Sequence, residues 1–189
     1  MKPDNRPESS LNILEQIPLI NSIMASHRES LGVDFTAYRN HCYRVANFCL
    51  ALSDGYDAEQ DKVAIAAAFH DLGIWTHRTF DYLGPSRLLV REYLVKISRV
   101  AWTDEVEAMV AFHHKLTPYR GNPAWLVEPF LKADWIDILK GGLKFGLPRG
   151  FVAQVLSVFP NAGFHRRLVE LTMQRMKSHP FSPLPMMKW

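Results

Sequence analysis

The stretch AAAFHDLGIW, residues 66–75, decides how this chain is read. It closes an apolar run through Val63, Ile65, Ala66, Ala67, Ala68 and Phe69, which suits a tightly packed, nearly fully buried helix. His70 and Asp71 stand at the end of that run, and Gly73 follows them. Adjacent residues lie about 100° apart around an ideal helix, so these two side chains converge on one point only where the backbone turns away. Gly73 supplies that ending, and a helix is predicted over Asp57 to Asp71.

The pattern continues in both directions. Upstream, Leu11 to Arg28 carries Leu, Ile and Met at helical spacing, interrupted by Pro18 and closed near Gly32, which predicts one or two lead-in helices. Asp34 or Thr36 is positioned to cap a helix in which Tyr38, His41, Cys42, Val45, Cys49 and Leu52 recur every three or four residues until Gly55. His41 therefore sits on an apolar face. Downstream, Gly73 to Gly84 reads as an aromatic and charged loop suited to covering a site, and Pro85 and Ser86 start a helix reaching Ser98. Thr103 caps a helix carrying Val106, Met109, Val110 and His113 that stops before Pro118. Further helices are predicted over Ala124 to Lys140, Pro148 to Phe159 and Phe164 to His179, ahead of an irregular tail from Pro180 to Trp189. No window alternates as a strand would, so the fold class is all-α.

A length of 189 residues allows one substantial core and predicts a single domain over residues 1–189. Hydrophobic residues at 48% and charged residues at 22% exclude a disordered chain. Lys and Arg outnumber Asp and Glu by 22 to 19 without forming a long basic run, so no nucleic-acid polymer is expected as partner, whereas a small anionic substrate fits. Cys42 and Cys49 lie about two helical turns, roughly 10 Å, apart, too far for a disulfide within that helix. Reduced, partly buried thiols accord with a cytoplasmic setting. Residues 1–10 are polar with two prolines and no signal-peptide pattern, and no apolar run reaches the 18 residues or so of a membrane span. The pattern predicts neither export nor insertion, and leaves the oligomeric state open.

Imidazoles and carboxylates thus fall on the inward faces of three separate predicted helices. Burying that many ionisable groups is costly unless something charged pairs with them, and a divalent cation does so. Mixed nitrogen and oxygen donors suit Mn, Fe, Co, Ni or Zn better than calcium. The stretches YRNHCYRV around His41, AAAFHDLGIW around His70 and Asp71, and FLKADWID around Asp134 resemble, in order and spacing, the H…HD…D signature of the HD-domain superfamily. The resemblance covers a core of about residues 33–139, leaving C-terminal helices and the tail over 148–189. It implies a helical bundle, His41, His70, Asp71 and Asp134 as metal ligands, and metal-dependent hydrolysis of a phosphate ester of a small molecule, possibly a nucleotide.

In that chemistry Asp71 and the metal prepare a water, and Lys115 in AFHHKLTPYR is the first candidate for a phosphate contact, with Arg78 and Arg120 behind it. On a regular helix only one of His113 and His114 faces inward; His114 is read as a proton donor and His113 as a substrate contact, with an extra-ligand role open to either. Binuclear relatives usually add a histidine after the HD pair, but FDYLGPSRLLVREYL contains none, so one metal is favoured over two. Leu72 to Phe80 also lacks the acidic residue of nucleotidase-like members. Asp137, on the Asp134 face, is a candidate to orient a histidine. Trp102, Trp125, Trp135, Phe145 and Phe151 read as core or pocket wall. The alternatives are hydration or carbon–nitrogen hydrolysis at one metal, di-iron oxygenation, and a non-catalytic metal-stabilised binding module.

Overall fold

The computed structural model describes residues 11–53 and 59–187. Among the described residues ten α-helical segments follow one another: α1 (Pro18–Ser26), α2 (Arg28–Leu31), α3 (Phe35–Leu52), α4 (Gln60–Phe69), α5 (Gly73–Thr76), α6 (Leu83–Lys96), α7 (Thr103–Phe112), α8 (Val127–Ile138), α9 (Arg149–Val158) and α10 (Phe164–Ser178). No β-strand occurs among the described residues, and the chain is all-α. None of these helices is long and apolar enough to cross a membrane.

The axis of the assembly is α3. Ala37, Tyr38 and nearly every later residue of this helix are buried, so it is enclosed on all sides rather than on one stripe. It packs chiefly against α8 and α4; α7 lies against both of those, α6 covers α7, and α9 and α10 close over α3. The polar groups that α3 takes into the core are satisfied. Asn47 exchanges hydrogen bonds with the backbone of Leu14, Asn40 donates to the carbonyl of Pro160, and Tyr43 accepts from the amide of Ile17. Both cysteines of α3 are free and buried.

Several boundaries differ from the sequence reading. Pro18 begins α1 instead of interrupting a longer helix, because a proline at the first helical position loses no hydrogen bond. Asp34 precedes α3 but caps nothing, since its carboxylate accepts from the Trp75 indole and pairs with Arg167. The expected loop after Gly73 begins with the single helical turn α5, and Trp75 within it is buried. Phe151 joins the core, Trp102, Trp125 and Phe145 pack partly against it, and Phe181 in the tail is exposed. The expectations at Gly55, at Asp57, for residues 1–10 and for Trp189 lie outside the described residues.

Candidate metal centre

Helix α4 ends at Phe69, so His70 and Asp71 occupy the turn beyond it, where adjacent side chains are free to converge. Tyr38 of α3 fixes that turn from below: its hydroxyl donates to the carbonyl of Ala68 and accepts from the amide of Asp71. Gly73 then lets the chain fold back, because a Cβ there would lie 2.7 Å from the carbonyl oxygen of Tyr82. The close approach carries Tyr82 into the site. From α3 comes His41, and from α8 comes Asp134.

These side chains meet. His41 Nε2 lies 2.8 Å from His70 Nε2, 3.7 Å from Asp71 Oδ2 and 3.7 Å from Asp134 Oδ1. His70 Nε2 is 3.5 Å from Asp71 Oδ2 and 3.8 Å from Asp134 Oδ1. The outer nitrogen of each imidazole is already committed: His41 Nδ1–H donates to Asp137 at 2.6 Å, and His70 Nδ1–H donates to the carbonyl of Ala67 at 2.9 Å. The two Nε2 atoms therefore face one another across 2.8 Å, at the point where the carboxylates also converge. Asp71 Oδ1, His113 Nε2 and both carboxylate oxygens of Asp134 are buried without a hydrogen-bond partner among the described residues. Orphaned carboxylate oxygens in a buried cluster of imidazoles are unfavourable unless a cation sits among them, and the donor set matches a transition metal.

The two histidines after α7 join this cluster. A regular helix would turn only one of them inward, but α7 ends at Phe112, so the chain is no longer helical where they occur and both reach the site. His113 Nε2 is 3.3 Å from Asp71 Oδ1, with its Nδ1–H donating to Val110, and His114 Nδ1 is 3.3 Å from Asp134 Oδ2. Tyr82 donates its hydroxyl proton to His114 Nε2 at 2.7 Å. The donors thus form two groups, His41, His70 and Asp71 on one side and Asp71, His113 and His114 on the other, with the Asp71 carboxylate common to both.

Electrostatics follow from burial and proximity. Burial, helped by the neighbouring His41 and His113 imidazoles, pushes His70 down to about 3, so it is neutral and able to ligate. Burial drives Asp134 above the usual carboxylate range, whereas His70 and His113 outweigh the burial of Asp71 and hold it well below. His114 is lowered by burial, and His113 is raised because Asp71 and Asp134 overcome its burial. Behind His41, Asp137 is gripped by the Nε of Arg44 and by its Nη2 at 2.8 Å, and these bonds with the His41 bond overcome burial and keep it ionised. Arg44 also donates to the carbonyl of Phe159, and Phe164 stacks on the His41 ring with centroids 4.0 Å apart.

The basic residues lie elsewhere. Lys115 donates to Thr117 Oγ1 and, with Trp135 and Phe145, lines a cavity of about 510 Å³. Arg78 lines a different cavity beside Trp75, and Arg120 is exposed. Tyr82 reads in the sequence only as part of a loop suited to covering a site, with no role of its own, and Arg44 and Phe164 escaped the sequence reading, because a lone arginine and a phenylalanine far downstream carry no local signal of a site. A family model for the HD domain matches residues 38–142, more than half of the chain. Neither the curated proteins nor the solved structures include a match.

Proposed function

The chain belongs to the HD-domain family, and on that premise we propose that it is a metal-dependent phosphohydrolase that cleaves a phosphate ester of a small molecule. The carrying observation is the convergence of His41, His70, Asp71 and Asp134, with buried donor atoms that nothing among the described residues satisfies. These four residues would hold one divalent transition ion, Mn, Fe, Co, Ni or Zn. Such an ion supplies Lewis-acid chemistry, acidifying water and polarising a phosphoryl oxygen.

The protein's own groups do the rest. His70 is neutral, and it and His41 are each oriented with Nε2 toward the cluster by their outer hydrogen bonds, to Ala67 and to Asp137. His114 is the proton-handling group, since its two nitrogens face Asp134 and the Tyr82 hydroxyl, and its side chain at 14% exposure is reachable by solvent where the ligands are not. His113, with its Nε2 3.3 Å from Asp71 Oδ1, is the substrate contact of this proposal. A nucleotide is one member of the small-phosphoester class.

The shared Asp71 carboxylate favours a second reading in which His113 and His114 hold a second ion. Metal content per chain of protein purified without chelator, measured beside the Asp71→Ala variant, separates the two. One ion per chain that disappears in the variant supports the mononuclear site, and two supports the shared carboxylate. The reaction itself is tested by a broad phosphoester panel with each of the five metals. Release of phosphate from none of them would sink the assignment.

A further inference from the structure

A second cavity, of about 520 Å³, opens between α5, the residues following it and α10, and no residue of the metal cluster lines it. Its volume lies within the roughly 300–1,000 Å³ common for small-molecule sites. Trp75 and Phe80 form an apolar wall, and Arg78, Arg167 and Arg175 bring three guanidinium groups to a lining that contains no carboxylate. The wall is rigid: the Trp75 indole donates to Asp34 at 2.9 Å, and its ring lies 4.6 Å from that of Tyr38.

The three arginines are not equivalent. Arg167 is compensated by Asp34 at 3.0 Å and Glu170 at 3.5 Å. Arg175 donates only to the backbone carbonyl of Ser182 and has no acidic partner among the described residues. Arg78 has neither an ion pair nor a side-chain hydrogen bond among them, and its backbone is held at φ +49°, a conformation that side chains rarely adopt. Two uncompensated planar cations beside a fixed aromatic wall match phosphate oxygens, which a guanidinium fork grips in pairs.

We propose that this cavity binds a small phosphorylated molecule independently of the metal centre, with Arg78 and Arg175 contacting the phosphate and Trp75 and Phe80 covering its apolar part. The site sits close enough to be felt at the metal, since the Tyr38 ring that touches Trp75 lies 6.2 Å from the rings of both His41 and His70. Binding itself needs no ion.

The test is calorimetric titration of the full chain in excess chelator with pyrophosphate and, separately, with adenosine monophosphate. Saturable binding of at least one probe is expected, weakened tenfold or more in Arg78→Ala and in Arg175→Ala and unchanged in Asp71→Ala, with thermal melting of the arginine variants unaltered. Preference for the mononucleotide would identify a ligand that uses the aromatic wall, and preference for pyrophosphate one held by phosphate alone. No saturable binding of either probe, binding that survives the double arginine substitution, or binding lost in Asp71→Ala would overturn the proposal. Because the titration excludes metal, its failure leaves the phosphohydrolase reading standing, and an inactive phosphoester panel leaves this site standing.

Discussion

His41 donates its Nδ1–H to Asp137 across 2.6 Å, and the carboxylate that accepts this bond is clasped by Arg44. That bond fixes the imidazole tautomer that leaves Nε2 free to ligate. Asp137→Asn is expected to weaken metal binding by about 10–100-fold, the usual cost of losing such a supporting partner. It also strands a buried guanidinium, a loss of about 3–5 kcal/mol. Competition titration with a chromophoric chelator and urea denaturation measure the two effects; unchanged metal affinity would show that Asp137 holds only the fold.

Phe164 covers the opposite face of the same imidazole and is 1% exposed. Truncation to Ala is expected to cost about 3–5 kcal/mol and to open a void against His41. Replacement by Leu keeps much of the volume, so stability should largely return. If the stack also holds the ring in place, the cobalt-loaded Leu variant will still show an altered visible spectrum, whereas an identical spectrum would confine Phe164 to packing.

Asp134 governs the pH dependence of loading. Burial lifts its carboxyl to about 7 in the metal-free protein, against about 4 in the unfolded chain. Metal uptake must expel that proton, so affinity is expected to be full above pH 7 and to fall by up to tenfold per unit below it. The sign for folding without metal is the reverse: the folded chain holds the proton more tightly, so this group's contribution to stability declines as pH rises from about 4 to 7. Asp134→Asn should therefore melt about 2–4 °C higher than the chelated parent at pH 8, the shift expected for about 1 kcal/mol in a protein of this size, yet gain nothing from added metal. A variant that melts lower at pH 8 would contradict the assignment.

Tyr82→Phe removes the hydroxyl that donates to His114 and leaves every metal-facing donor in place. Metal content is expected to stay the same while kcat falls by about 10²-fold or more, as for loss of a group that handles a proton. Full activity in this variant would exclude the Tyr82–His114 pair from proton handling.

The helices were legible in their apolar stripes, and His41, His70, Asp71 and Asp134 were singled out together by the resemblance of their surroundings to the H…HD…D signature. Tyr82 was not legible. It reaches the centre through a backbone contact at Gly73 that only the folded chain creates. The Arg44–Asp137 pair spans 93 residues: Asp137 was legible as a candidate to orient a histidine, as it does for His41, whereas Arg44 alone reads as an ordinary charge. His113 and His114 misled for a local reason: helical geometry forbids both from facing inward, and the helix stops one residue before them.

His41, His70 and Asp134 have no exposed surface at all, and Asp71 has 1%. Among the described residues, solvent reaches the cluster only on the His114 side, where that side chain is 14% exposed, so an ion held there is expected to exchange slowly. Such a protein keeps what it acquired while folding. Its occupant then reports which ion was abundant where and when the chain was made, and two preparations of identical sequence can differ in activity through their histories alone.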